Sequence, residues 1–211
     1  MVMESMEKGV GSEVARHIAG TATRLFAAQG YDATSVRMIV EAAGVTKPTL
    51  YYHFGSKEGL AHALLNLPLS GLVERLEEIA REEGDAVVVL ERQFEAHFAF
   101  CREEPDRARF YYAICFGPLM TGLAGELMKF GGKLDKPLEK VIGRLVEGGV
   151  VEGCRAKELL WTCRGLITSA VMEFLYQCQD GDLGPAPAHR LVGDLLWGYG
   201  IPGSVERGAR E

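Results

Sequence analysis

G-Y-D-A-T-S-V-R-M-I-V-E-A-A-G-V-T-K-P-T-L-Y-Y-H-F-G-S-K-E-G-L, running from Gly30 to Leu60, is the stretch that decides the fold. Two short apolar-periodic runs flank a tight turn within it. Val36, Ile39, Val40 and Ala43 recur at helical spacing, one face of a helix that Ser35 can cap. Gly44 follows, free to take the positive φ a tight turn often needs, with Val45 packing beneath the turn. Thr46 can cap a second helix reaching about His53, and Pro48 in its first turn can spare an N–H. Two short helices so joined make a helix-turn-helix, predicted here at about residues 34–53, in which the second helix enters the major groove of DNA.

The second helix has the chemistry for that task. Leu50 and Phe54, one turn apart, can both face inward, which leaves Lys47, Thr49, Tyr51 and His53 outward. A helix serving only a core needs no such polar and aromatic face. Lys47 can reach a base acceptor or a phosphate, the Thr49 methyl can touch a thymine methyl, and Tyr51 can donate its hydroxyl to a phosphate oxygen. Ser56 and Lys57 sit where the next helix begins, and the free N–H groups and dipole there attract phosphate.

The Gly30–Leu60 run resembles the DNA-binding signature of the TetR family, and L-Y-Y-H-F-G-S-K-E is among its more diagnostic pieces. With the preceding helix, the likeness covers roughly the first quarter of the chain. It implies base-region contacts from Arg37, Lys47, Pro48 and Thr49, beside Thr46 at the helix cap. It implies phosphate contacts from Tyr51, His53 and Lys57. It further implies an all-α ligand-binding domain in the rest of the chain, dimerisation through the last two long helices, and repression as the default. Val40 departs from the pattern, which usually has alanine there, so a slight shift in the packing of the first helix is expected.

Outward from the signature, the pattern is helical almost throughout, so the expected fold is all-α. Ile18, Ala22, Leu25 and Phe26 mark a helix from Glu13 to Gln29, capped by Ser12 and stopped at Gly30. A long helix opens at Lys57 and runs to about Glu83, kinked or interrupted at Pro68. Further helices are predicted at Ala86–Arg102 and Pro105–Phe116. Leu119–Glu147 is predicted as two helices divided near Gly131-Gly132. Ala156–Gln179 follows a glycine-rich turn, and Ala188–Tyr199 follows a loop. The domains expected are 12–58 for DNA binding and 59–200 for ligand binding and dimerisation. Disordered tails are expected at 1–11 and 201–211.

Bulk composition agrees with a globular, cytoplasmic protein. Hydrophobic residues make up 47% and charged residues 25%, so neither a disordered chain nor a membrane protein is expected. MVMESMEKG carries acids and no apolar core, so it does not read as a signal peptide. The net charge of −6 at first argues against DNA. Residues 1–60, however, hold six Lys/Arg and six Asp/Glu, whereas 61–211 hold seventeen against twenty-three. All the net acidity therefore lies outside the signature, and phosphate binding answers to the local surface.

The second domain offers candidates rather than a motif. Phe94, Phe98, Phe110, Tyr111, Tyr112, Phe116 and Met120 cluster in sequence, and Trp161 is a candidate to join them in space. Together they can line an apolar cavity, the usual form of a small-molecule site, with polar contacts from Tyr111, Tyr112 or His97. Glu173 interrupts an apolar run, either as a partner for an Arg at a dimer seam or as a polar handle in the cavity. His97 and Cys101 share a helix face but have no evident third ligand, so no metal or cofactor is expected. The five cysteines form no C-x-x-C and read as small buried apolar residues. An enzyme or a ligand-binding adaptor with an idle helix-turn-helix is the alternative. Against an enzyme, G-x-S-x-G, H-E-x-x-H and Walker A motifs are all absent. The expected partners are operator DNA, a small effector and a second copy of the chain, with no membrane.

Overall fold

The computed structural model describes residues 12–117, 122–176 and 182–199. The expected tails, Met120 and Cys178 lie outside the described residues. The chain is all-α, with no β-strand among those residues: α1 Glu13–Gln29, α2 Val36–Ala43, α3 Lys47–Phe54, α4 Lys57–Arg81, α5 Ala86–Glu103, α6 Pro105–Cys115, α7 Gly122–Glu147, α8 Ala156–Tyr176 and α9 Pro185–Tyr199, with a 3₁₀ turn at Gly153–Arg155. No helix of the described residues is long and apolar enough to cross a membrane.

Two compact units form. One comprises residues up to Gly71 together with Glu104–Phe130, and the other comprises Leu72–Glu103 and the chain from Gly131 onward. The chain thus crosses between units inside α4, between α5 and α6, and inside α7.

In the first unit α1 buries Ala15, Ile18, Ala22 and Phe26 at helical spacing. The side chain of Ser12 accepts from Ala15 N and caps that helix. Helix α6 packs on α1, with Phe110 stacked on Phe26 at 4.8 Å between ring centroids. Phe110, grouped with the cavity aromatics by sequence, is therefore part of the core of the first unit. Val40, the departure from the family pattern, is buried in the same unit.

In the second unit α5 packs against α8 and α9. Arg102 donates to Leu183 O at 2.7 Å, and His189 Nδ1 lies 2.7 Å from Glu91 Oε1. From α7, Arg144 donates to Glu82 O and Gly84 O at 2.8 Å and to Ala80 O at 3.4 Å, closing the C-terminal end of α4. Lys140 reaches Glu77 at 2.9 Å one turn earlier.

Three boundaries differ from the sequence expectation. Helix α7 is one continuous helix through Gly131-Gly132, with Pro137 inside it as well. Neither glycine takes a positive φ, so the pair lowers helix propensity by roughly 1 kcal/mol each without imposing a turn. Buried Leu127, Phe130, Leu138, Val141 and Leu145 outweigh that. Helix α4 likewise continues through Pro68, between buried Leu64, Leu65 and Leu69. Helix α9 starts at Pro185 rather than Ala188, because both Pro185 and Pro187 fall in a first turn whose N–H groups need no helical partner.

Candidate nucleic-acid interface and ligand-binding residues

The turn between α2 and α3 is built as its residue types require. The Ser35 side chain accepts from Met38 N at the start of α2. Gly44 takes φ +63°, a left-handed conformation that a side chain would strain. The Thr46 hydroxyl caps α3 through Thr49 N at 3.4 Å and shares a 2.8 Å hydrogen bond with the Thr49 hydroxyl. Leu50 and Phe54 are buried, holding α3 by one face. Where α3 meets α4 a Cβ on Gly59 would come within 2.1 Å of Phe54 O, so only glycine permits that close approach.

The other face of α3 is open. Thr46, Lys47, Pro48 and Tyr51 are exposed, while Thr49 and His53 are half-buried. Among the described residues Lys47 carries no ion pair. Tyr52 is 85% exposed, more than Tyr51 at 45%, although the sequence reading passed it over. Its position midway between Leu50 and Phe54, opposite the buried face, is the signal that could have found it. The ring of His53 stands edge-on to Tyr52 at 5.0 Å, and its Nδ1 is buried without a partner. Arg37 on α2 is exposed and pairs with Glu41 at 2.6 Å, which raises its pKa.

Lys57 has a second role that the sequence did not indicate. Its Nζ donates to Tyr31 O at 2.7 Å and Thr34 O at 2.8 Å and sits 4.0 Å from the centroid of the Tyr31 ring. Burial lowers its pKa against the pull of Asp32. Two of the three ammonium donors thus work inside the protein, leaving one for a phosphate. Thr34 is fully buried and donates to Gly30 O at 2.7 Å. The separated signature residues Tyr31, Thr34 and Lys57 are therefore one knot that fixes the α1–α2 connection to the start of α4.

The candidate ligand residues divide between the units. Phe94 and Phe98 of α5 are fully buried and meet edge-to-face at 6.1 Å, with His97 half-buried beside them. Burial lowers the pKa of His97, opposed by its contact with Gln93 O. Tyr111 and Tyr112 are half-buried on α6 in the first unit, and Phe116 is 64% exposed, its ring stacked on that of Tyr112 at 6.0 Å. Trp161 is exposed on α8 with Lys157 Nζ 5.0 Å from its ring. Glu173 is exposed on α8. A groove of about 430 Å³ runs between the second half of α4 and α5, lined by Leu72, Ile79, Phe100 and the charged Arg75, Arg92 and Glu95 among others. None of the sequence-selected residues lines it. Burial pushes the thiols of Cys101 and Cys163 up to about 12, which leaves them unreactive.

A helix-turn-helix with an exposed basic and aromatic second helix is the layout of a DNA-binding motif. Residues 18–64 match the profile of the bacterial regulatory proteins, tetR family. The chain is 35% identical over 115 residues to the HTH-type transcriptional regulator AcrR of Shigella flexneri, covering 54% of this chain and 53% of that protein. It is 30% identical over 132 residues to the HTH-type transcriptional repressor KstR2 of Rhodococcus jostii, 63% of each chain. The chain thus spans about half the length of the first of these relatives and under two thirds of the second. The ketosteroid transcriptional regulator KstR2 of Mycobacterium tuberculosis superposes with a TM-score of 0.76 over 91% of this chain and 97% of its own, at 21% identity. The likeness to the tetR family thus rests on residues 18–64, and the relatives named here are transcriptional regulators.

Proposed function

We propose that the protein is a sequence-specific DNA-binding transcriptional regulator, a repressor released from a palindromic operator by a small, largely apolar effector. The observation that carries this is the open face of α3. Lys47, Thr49, Tyr51 and Tyr52 stand on a short helix held from behind only by Leu50 and Phe54. Such a helix is free to enter a major groove as a unit, Lys47 and Thr49 toward base edges and Tyr51, His53 and the last donor of Lys57 toward phosphates. The residues 12–58 serve as the DNA head. In this reading the effector is held in the second unit, with Phe94, His97 and Phe98 of α5 as candidate contacts. It acts only through its different affinities for the DNA-competent and the released states.

An electrophoretic shift against fragments of the source genome tests the reading. The wild-type protein is expected to retain a small set of fragments. Lys47→Ala and Tyr51→Ala lose them while unfolding like wild type, since both residues are exposed. A lost phosphate charge lowers the slope of log affinity against log salt by about one. Unchanged affinity in both variants removes α3 as the recognition helix, and retention of no fragment favours the idle-head adaptor.

A further inference from the structure

The groove between the second half of α4 and α5 lies wholly within the second unit. At about 430 Å³ it falls in the range of small-molecule sites, roughly 300–1,000 Å³. Its apolar surface comes from buried Leu72 and Ile79 of α4 and from half-buried Ala96, Ala99 and Phe100 of α5. Arg92, Ala96 and Phe100 form one line along α5, and Glu95, Ala99 and Glu103 form the line beside it.

The charges in the groove do not cancel. Arg92 pairs with Glu82, and Arg75 lies 3.6 Å from Glu78. Glu95 and Glu103 carry no ion pair among the described residues. With each arginine set against its own partner, two carboxylates are left with nothing to balance them. Glu103 is also the last residue of α5, at the negative end of the helix dipole. Arg102, the basic residue of that turn, donates to Leu183 O at 2.7 Å. Phe100, between the two carboxylates along the helix, adds an aromatic ring, whose face attracts a cation.

We propose that this groove is a binding site for a small lipophilic cation, an amine or quaternary ammonium that carries an apolar chain or ring. The apolar part displaces water from Leu72, Ile79, Ala96 and Ala99, and the charge sits at Glu95 or Glu103 beside Phe100. A neutral molecule of the same shape gains only the apolar contact. An anion meets two unbalanced carboxylates and must draw Arg75 or Arg92 away from the carboxylate that already holds it. Both groove carboxylates reach solvent, so the preference is several-fold and falls as salt rises. The site is separate from Phe94, His97 and Phe98, and its occupation does not depend on release from DNA.

Octyltrimethylammonium, 1-octanol and octanoate share one chain length and differ in charge, and calorimetry with the full-length protein compares them. At low salt the ammonium is expected to bind at least about fivefold more tightly than the alcohol, with octanoate the weakest. Sodium chloride at about 0.5 M shrinks that ratio. The double variant Glu95→Gln, Glu103→Gln brings ammonium and alcohol within about twofold while unfolding at the wild-type urea concentration, because neither side chain holds a partner. In protein with isotope-labelled alanine methyls, the Ala96 and Ala99 signals are expected to shift with the ammonium. Equal binding of ammonium and alcohol, tighter binding of octanoate, or a preference that survives in the double variant overturns the proposal. So do Ala96 and Ala99 signals that stay in place, which put the cation elsewhere, and an absence of any binding by octyltrimethylammonium.

Discussion

Lysines 47 and 57 lie ten residues apart in one signature and do different work. Lys47 is exposed and unpaired among the described residues, so its charge is available to DNA and its loss costs the fold little. Lys57 holds two carbonyls and an aromatic ring, so its loss leaves Tyr31 O and Thr34 O short of a donor and the Tyr31 ring without its cation. Lys57→Met is expected to lower stability by about 1–2 kcal/mol, the range for hydrogen bonds to a charged donor partly open to water. Urea unfolding followed by circular dichroism measures this. A Lys57→Met protein as stable as wild type would return the residue to a purely phosphate-binding role. The spacing of a motif cannot separate these two lysines. Both read as cations near a helix start, and only the position of the Tyr31–Thr34 segment tells them apart.

Helix α4 begins in the first unit and ends in the second. Its first residue, Lys57, is tied into the knot of the first unit, and its last turn is closed in the second unit by Arg144 across the carbonyls of residues 80, 82 and 84. A guanidinium at a helix C-terminus satisfies orphan carbonyls and favours the negative end of the helix dipole. We predict that Arg144→Met destabilises the protein by about 1–3 kcal/mol and raises hydrogen exchange at the end of α4, and that Arg144→Lys recovers part of both. Amide exchange that is unchanged at residues 77–84 would show that the clamp is ornamental. The elements themselves were largely readable. Helices α1, α2 and α5 match their predicted spans to within a residue, because their caps and apolar periodicity agree. The misreadings cluster where Pro68 and the Gly131-Gly132 pair read as interruptions. Pro68, Gly131 and Gly132 all lie inside continuous helices, since burial on both sides of each one outweighs a local propensity cost.

At the scale of the whole molecule, α8 leaves apolar surface uncovered. Leu159, Leu160, Cys163, Ile167, Val171 and Leu175 are buried, yet Leu166, Ala170 and Phe174, spaced a turn apart, are only half-buried, and Trp161 and Tyr176 are 57% and 54% exposed. A second copy related by a two-fold axis would cover such a face with the same face of its own α7 and α8. The expected outcome is a dimer by light scattering at micromolar concentration. The operator it selects should be a near-palindrome with half-site centres about 34–36 Å apart. A monomeric mass, or selected fragments without an inverted repeat, would count against the paired heads.

The sequence by itself determined the helix-turn-helix, its caps, the outward residues of α3 and the all-α class. Each of these rests on contacts within a few residues along the chain, where a cap, a period of 3.6 or a left-handed glycine leaves a local mark. Only the tertiary structure decided that Lys57 ties Tyr31 to Thr34, that Phe110 stacks on Phe26, and that Tyr111 and Tyr112 belong to the first unit while Phe94 and His97 belong to the second. It also decided that Gln93 is buried with an acceptor unpaired. These facts join residues distant in sequence. An aromatic run or a glutamine on an apolar helix reads the same whichever neighbour the fold brings against it, because packing is set by the whole chain and local periodicity marks only which face turns inward.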